Sequence, residues 1–134
     1  MKALTVLQPW AWALIHGPKR IENRSWATYY RGPLVIHAGK SRKWLDVGVP
    51  ALRENGIAIP DNFEYGAIIG IVDLVECFHY SVLTDAQRCD VYAHGPFCWV
   101  TANPRPLQPH TWKGAQGLWT IPDDVIAAIR ECGG

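Results

Sequence analysis

Gly66-Ala-Ile-Ile-Gly-Ile-Val-Asp-Leu-Val-Glu-Cys-Phe-His-Tyr80 is the longest extended pattern in the chain, and its reading decides the fold. Its first half is apolar at both alternating positions, so both faces need cover and the strand belongs at the centre of a sheet. Gly70 predicts a sharp bend, the device by which small barrels turn a corner. Asp73 and Glu76 interrupt the run, and neither has a second acid at a spacing that suits paired-carboxylate catalysis.

Outward from this strand, short strands alternate with short helices. Toward the N-terminus, residues 3–7 read as a strand ended by Gln8-Pro9, and Pro9 suits the first turn of a helix. Trp10 to His16 has a helical period, with Trp10 and Leu14 on one stripe, and Gly17-Pro18 stops it. Residues 19–26 form a second strand. Pro33 to Gly39 forms a third, buried one, interrupted by His37. Lys43 to Asn55 predicts a helix with Trp44, Val47 and Leu52 on its apolar side, broken in two by Pro50. Residues 57–65 are a loop. Toward the C-terminus, Thr84 to Arg88 is a helical piece within a surface stretch. Phe97 to Asn103 is a strand that the prolines of Pro104-Arg-Pro-Leu-Gln-Pro109 bring to an end. A polar loop, His110 to Gly117, precedes a last strand, Leu118 to Ile121. Pro122 to Glu131 has the proline, the early acids and the apolar stripe of a terminal helix. The expectation is an α+β fold: a small mixed β-barrel of about six strands with peripheral helices, residues 1–134 forming a single domain.

Composition narrows the function. The chain has 134 residues and 49% hydrophobic content, enough for a core without disulfide or metal support. Cys77, Cys89, Cys98 and Cys132 form no CxxC pair and no zinc-ligand spacing, and His37, His79, His94 and His110 add none. Reduced thiols, no metal and no cofactor are expected. No apolar run is long enough to span a membrane. Met1-Lys2-Ala3 leads straight into a strand pattern, which argues for a cytoplasmic location.

The net charge of +1 disfavours coating duplex DNA through bulk electrostatics. Lys19, Arg20, Arg24, Arg31, Lys40, Arg42 and Lys43 nevertheless cluster, with Glu22 as the only acid between them. Such a cluster suits a basic groove for a single strand, a loop or a nucleoside. Seven tryptophans exceed what a core of this size needs, and indoles stack on bases. With a two-residue period, Arg20, Glu22, Arg24 and Trp26 share one face of the second strand, and Lys19 stands at its entry. That face is either a solvated edge or the wall of a polar groove. A lone histidine in a strand, as His37 is, reads first as a hydrogen-bonded core or rim residue.

Leu7-Gln-Pro-Trp-Ala11, Gly17-x-Lys19-x-x-Glu22-x-Arg24, Arg31-Gly32 with Ile36-His-Ala38, Gly66-Ala-Ile-Ile-Gly70 and Lys113-Gly-Ala-Gln-Gly-Leu-Trp119 together resemble the ASCH (activating signal cointegrator homology) domain. The resemblance runs from Leu4 to about Ile121. It implies a PUA-like β-barrel with a cleft walled by the Gly-x-Lys-x-x-Glu-x-Arg signature, and a ligand drawn from RNA or nucleosides. The candidate ligand-binding residues are Gln8, Trp10, Lys19, Glu22, Arg24, Trp26, Arg31, His37, Lys40, Lys113, Gln116 and Trp119. The family includes coactivator domains, RNA binders and small bacterial hydrolases of N4-acetylcytidine. In those hydrolases the signature lysine activates a threonine three residues later. Lys19 matches that lysine, but the position three residues on is Glu22, which has no hydroxyl to act as nucleophile.

Three readings follow. In a binding module, basic residues would meet phosphate, tryptophans would stack, and Glu22 would accept from an exocyclic amine. In a hydrolase acting on a modified nucleoside or on RNA, Lys19 and Glu22 would be the catalytic residues, with Glu22 activating water. In a protein-interaction domain the same residues would form a partner surface. The oligomeric state stays open.

Overall fold

The computed structural model describes residues 1–132. Its elements run β1 (Lys2–Val6), α1 (Trp10–Ile15), β2 (Ile21–Arg24), β3 (Gly32–Ala38), α2 (Leu45–Glu54), β4 (Ala67–His79), α3 (Asp85–Arg88), β5 (Phe97–Thr111), β6 (Leu118–Thr120) and α4 (Asp123–Cys132). The strands make one mixed sheet in the order β2-β5-β4-β3-β1-β6, with β1 and β3 parallel.

β4 lies inside the sheet, as its double-sided apolar run predicts. Its residues are shared between two cores. Ala67, Ile69, Val72 and Leu74 pack with Leu14 and Ile15 of α1, whereas Ile68 and Ile71 pack under Ile126 and Ile129 of α4. Gly70 does more than allow a bend. A Cβ there would stand 2.6 Å from Ile15 Cδ1 and 2.8 Å from the Arg105 carbonyl oxygen, so the missing side chain lets α1 sit directly on the strand.

The expected barrel is not closed by a ladder. Among the described residues no strand pairing joins β2 to β6. Four strand spacings separate β2 from β1 in the sheet order, about 19 Å if the sheet were flat. Arg24 Nη2 of β2 nevertheless donates to the Thr5 carbonyl of β1 at 2.6 Å. The sheet is therefore strongly curled, and a side chain bridges the gap. Thr5 is reachable because β6 pairs with β1 only as far as Leu4.

Two other elements depart from expectation. β5 does not end at Pro104 but runs through Pro104, Pro106 and Pro109 to Thr111. Beyond Thr101, whose amide donates to the Arg20 carbonyl at 2.7 Å, it pairs with β4 alone, so prolines there can spend their missing N–H on the open edge, with register shifts absorbing the remainder. α2 is one helix despite Pro50, and its buried face is Gly48 and Leu52. Trp44 and Val47, expected in the core, are exposed. The free thiols of Cys77, Cys89 and Cys98 form no disulfide, and the side chain of Cys132 lies outside the described residues. No described helix is long and apolar enough to cross a membrane, and the described residues hold no cluster of three metal-ligating side chains.

Candidate functional site

The short β2 places three charges on one side. Lys19 enters from the Gly17-Pro18 corner with 3% exposure, and Glu22 follows with 8%. Lys19 Nζ donates to the Ile21 carbonyl and lies 3.6 Å from Glu22 Oε1. It also sits between two rings, 5.5 Å from the centroid of Trp10 and 5.4 Å from that of Tyr92. The second carboxylate oxygen of Glu22 pairs with Arg24 Nη2 at 2.9 Å, and Arg24 reaches on to Thr5. The result is a fixed row of cation, anion and cation.

This row lines a cleft of about 650 Å³. Thr5, Val6 and Leu7 at the end of β1 contribute one wall. Lys43, Trp44, Val47, Ala51 and Asn55 of α2 and its approach contribute another, and residues 91–95 a third. Asn23 holds that third wall in place. Its Nδ2 donates to the Tyr92 carbonyl at 2.8 Å, and its Oδ1 accepts from the amides of His94 and Gly95 at 2.9 and 2.8 Å. Arg24 Nε and Tyr92 Oη are both buried without a protein partner, although their residues line the cleft.

Burial holds the Lys19 ammonium below its ordinary pKa of 10.5, and the neighbouring Glu22 carboxylate partly opposes that. Because the folded value is depressed, the unfolded chain binds the additional proton between the folded pKa and 10.5, so stability rises with pH across that window. Wild type is expected to gain on Lys19→Met, in urea midpoint, as pH is raised from neutral toward 10.5. Parallel midpoint curves for the two proteins would contradict the buried ammonium.

Of the candidate ligand-binding residues named from the sequence, Trp10, Lys19, Glu22 and Arg24 line the cleft together, and the others stand elsewhere. Gln8 is buried at the base of α1, donating to the Glu64 carbonyl and accepting from the Trp12 amide, and it faces a separate groove. Trp26 packs edge-on against Trp99 at 4.7 Å. Arg31 is taken up by the carbonyls of Thr28 and Tyr30 and by Glu76 at 3.8 Å. His37 is 2% exposed. Its Nε2 donates to the Trp112 carbonyl at 2.6 Å and its Nδ1 faces Thr5 Oγ1 at 3.2 Å, so it pins the 112–117 segment to β1. Burial pushes its pKa down. Trp119 stands edge-on to His37 at 5.6 Å. Lys113 and Gln116 are exposed on the 112–117 segment, and Lys40 is exposed ahead of α2.

Tyr92, Asn23, Trp44 and Val47 escaped the sequence reading as cleft residues. Tyr92 lies in a stretch without periodicity, and the alternation of β2 put Asn23 on the face opposite Glu22. Trp44 carried a legible signal: an indole beside Lys43 on a helix that already had Leu52 for its core contact.

Comparison with known proteins agrees with this architecture. A family model described as the ASCH domain matches residues 4–111. Activating signal cointegrator 1 of Homo sapiens is 31% identical over 137 residues, covering 96% of this chain and 23% of that protein. The Mus musculus protein of the same name is 30% identical with the same coverage. The chain thus spans about a quarter of the length of these relatives. The crystal structure of ASCH from Zymomonas mobilis superposes with a TM-score of 0.59 at 12% identity, covering 99% of this chain and 95% of that one, which speaks to the fold. A curled mixed sheet wrapped on a short helix is the PUA-like class of fold. Within that class, the chain belongs to the ASCH domain family, whose members are generally associated with RNA binding.

Proposed function

We propose that residues 1–134 act as one nucleic-acid-binding domain whose cleft takes a nucleotide or an unpaired base of RNA. One observation carries the reading: Arg24 Nε and Tyr92 Oη, in residues that line the cleft, are buried donors without a protein partner. An unmet buried donor costs about 1–3 kcal/mol, and a ligand acceptor would recover that cost once the side chain turns its donor into the cleft. Glu22, held by Lys19 and Arg24, keeps lone pairs for an exocyclic amine, and two cations around one carboxylate favour an anionic ligand. Trp44, 42% exposed on the opposite wall, offers a stacking face. The free thiols of Cys77, Cys89 and Cys98 suit the reducing cytoplasm.

Trp10 and Trp44 in the cleft make intrinsic fluorescence the natural readout. Titration with cytidine, its 5′-monophosphate and single-stranded RNA at low salt is expected to quench the emission. A flat response to all three would overturn the proposal.

A second reading rests on the depressed Lys19 beside Glu22, a pairing that can activate a water. Glu22 would then be the general base for hydrolysis of an N-acylated nucleoside. Turnover of N4-acetylcytidine by wild type and not by Glu22→Gln supports it; equal inactivity of both removes it.

A further inference from the structure

We propose that the loop from Lys40 to Trp44 is a phosphate-contacting rail beside the cleft, so that the ligand is a single-stranded polynucleotide of several residues and not a free nucleoside. The proposal rests on the nucleotide reading of the cleft.

Lys40, Arg42 and Lys43 are all exposed within four consecutive positions. None of the ion pairs among the described residues involves them. Asp46, the nearest acid in sequence, is exposed on the first turn of α2. The loop is held in shape, which lowers the entropic cost of ordering it on a ligand. The Gly39 amide donates to the Val6 carbonyl at 3.0 Å, the Lys43 amide to Ser41 Oγ at 3.3 Å, and the Leu45 amide to the Arg42 carbonyl at 3.1 Å. The Arg42 guanidinium lies 4.3 Å over the Tyr65 ring, and the Lys40 stem lies across Gly66, where a Cβ would come within 2.9 Å of Lys40 Cε.

The loop also leads into the site, because Lys43 and Trp44 line the cleft. Cations in a fixed row followed by an exposed indole match a backbone that runs along the row while one base turns onto the ring. Only an unpaired base presents its face to such a ring. At most about 11 Å separates the Cα atoms of Lys40 and Lys43, so the row meets neighbouring phosphates of one strand.

The test compares wild type with the double variant Lys40→Gln and Arg42→Gln, which leaves the cleft-lining Lys43 in place and is expected to retain the wild-type melting temperature. Binding of a labelled octamer, as RNA and as DNA of the same sequence, is followed against salt concentration, and cytidine binding is measured alongside. Each phosphate contact of a single strand contributes about 0.7 to the slope of log K against log salt, so the variant slope should be shallower by about 1.4. Cytidine binding should be unchanged, and the octamer should bind wild type more tightly than cytidine does. The difference between the RNA and DNA arms identifies the sugar preference. Equal slopes for the two proteins, with cytidine still bound, overturn the rail and leave the cleft reading standing. A shallower slope without any cytidine binding keeps the rail and means that the cleft engages a base only as part of a strand. No binding of any probe removes both.

Discussion

Glu22→Ala is expected to cost about 3–5 kcal/mol of folding stability, the range for stranding one partner of a buried ion pair. Lys19 would keep the Ile21 carbonyl and two ring faces but lose its paired carboxylate, leaving only the weaker pull of Asp90, and Arg24 would lose its 2.9 Å partner. Lys19 can escape part of the cost by shedding its proton, so the deficit should shrink as pH rises toward 10.5. The double variant Lys19→Met with Glu22→Gln removes both charges together. It should recover most of the stability without recovering nucleotide binding, because the acceptor carboxylate is gone. Urea unfolding of the three proteins checks this, and a Glu22→Ala midpoint equal to wild type would mean that the pair is solvated.

Trp99→Ala is expected to be as damaging for a different reason. Trp99 is fully buried on β5, pairs across the ladder with Glu22, meets Trp26 edge-on and donates its indole N–H to the Trp26 carbonyl at 3.2 Å. Truncation removes a large apolar body from the main core and leaves the Trp26 carbonyl without that donor. Large aromatic-to-alanine changes in cores cost about 3–5 kcal/mol. For a chain of this size that lowers the melting temperature by roughly 10–20 °C. Calorimetry reads it directly, and a drop of only a few degrees would show that the neighbouring indole of Trp26 refills the space.

The sequence made the scaffold largely legible. The unbroken apolar run of β4 announced a strand covered on both faces, and α1 and α4 provide that cover. The Pro122-Asp-Asp start located α4 through local chemistry alone, and Thr84, read only as the first residue of a helical piece, turns out to cap α3. Local chemistry failed where tertiary context outweighed it. The prolines of β5 read as a strand end because sequence does not reveal which edge is open. Pro50 read as a break, yet α2 runs through it.

In the cleft, periodicity on β2 correctly put Glu22 and Arg24 on one side, where they form an ion pair. It was silent on partners brought from far along the chain. Tyr92 meets Lys19 only because Asn23 ties down residues 92–95, and Trp44 is a cleft wall only because Gly48 packs α2 closely on Pro9 and Trp10. Gln8, Trp26 and His37 look like site residues in sequence, since polar and aromatic groups near a signature invite that reading. In the fold, their hydrogen bonds and ring contacts tie segments together outside the cleft.

The most direct measurement is a crystal structure of the protein soaked with cytidine 5′-monophosphate. The account predicts the nucleotide in the cleft, its exocyclic amine within hydrogen-bond reach of Glu22 and its ring against Trp44. A nucleotide seated instead in the groove between Trp12, Phe63 and Leu107, leaving Glu22 untouched, would contradict it.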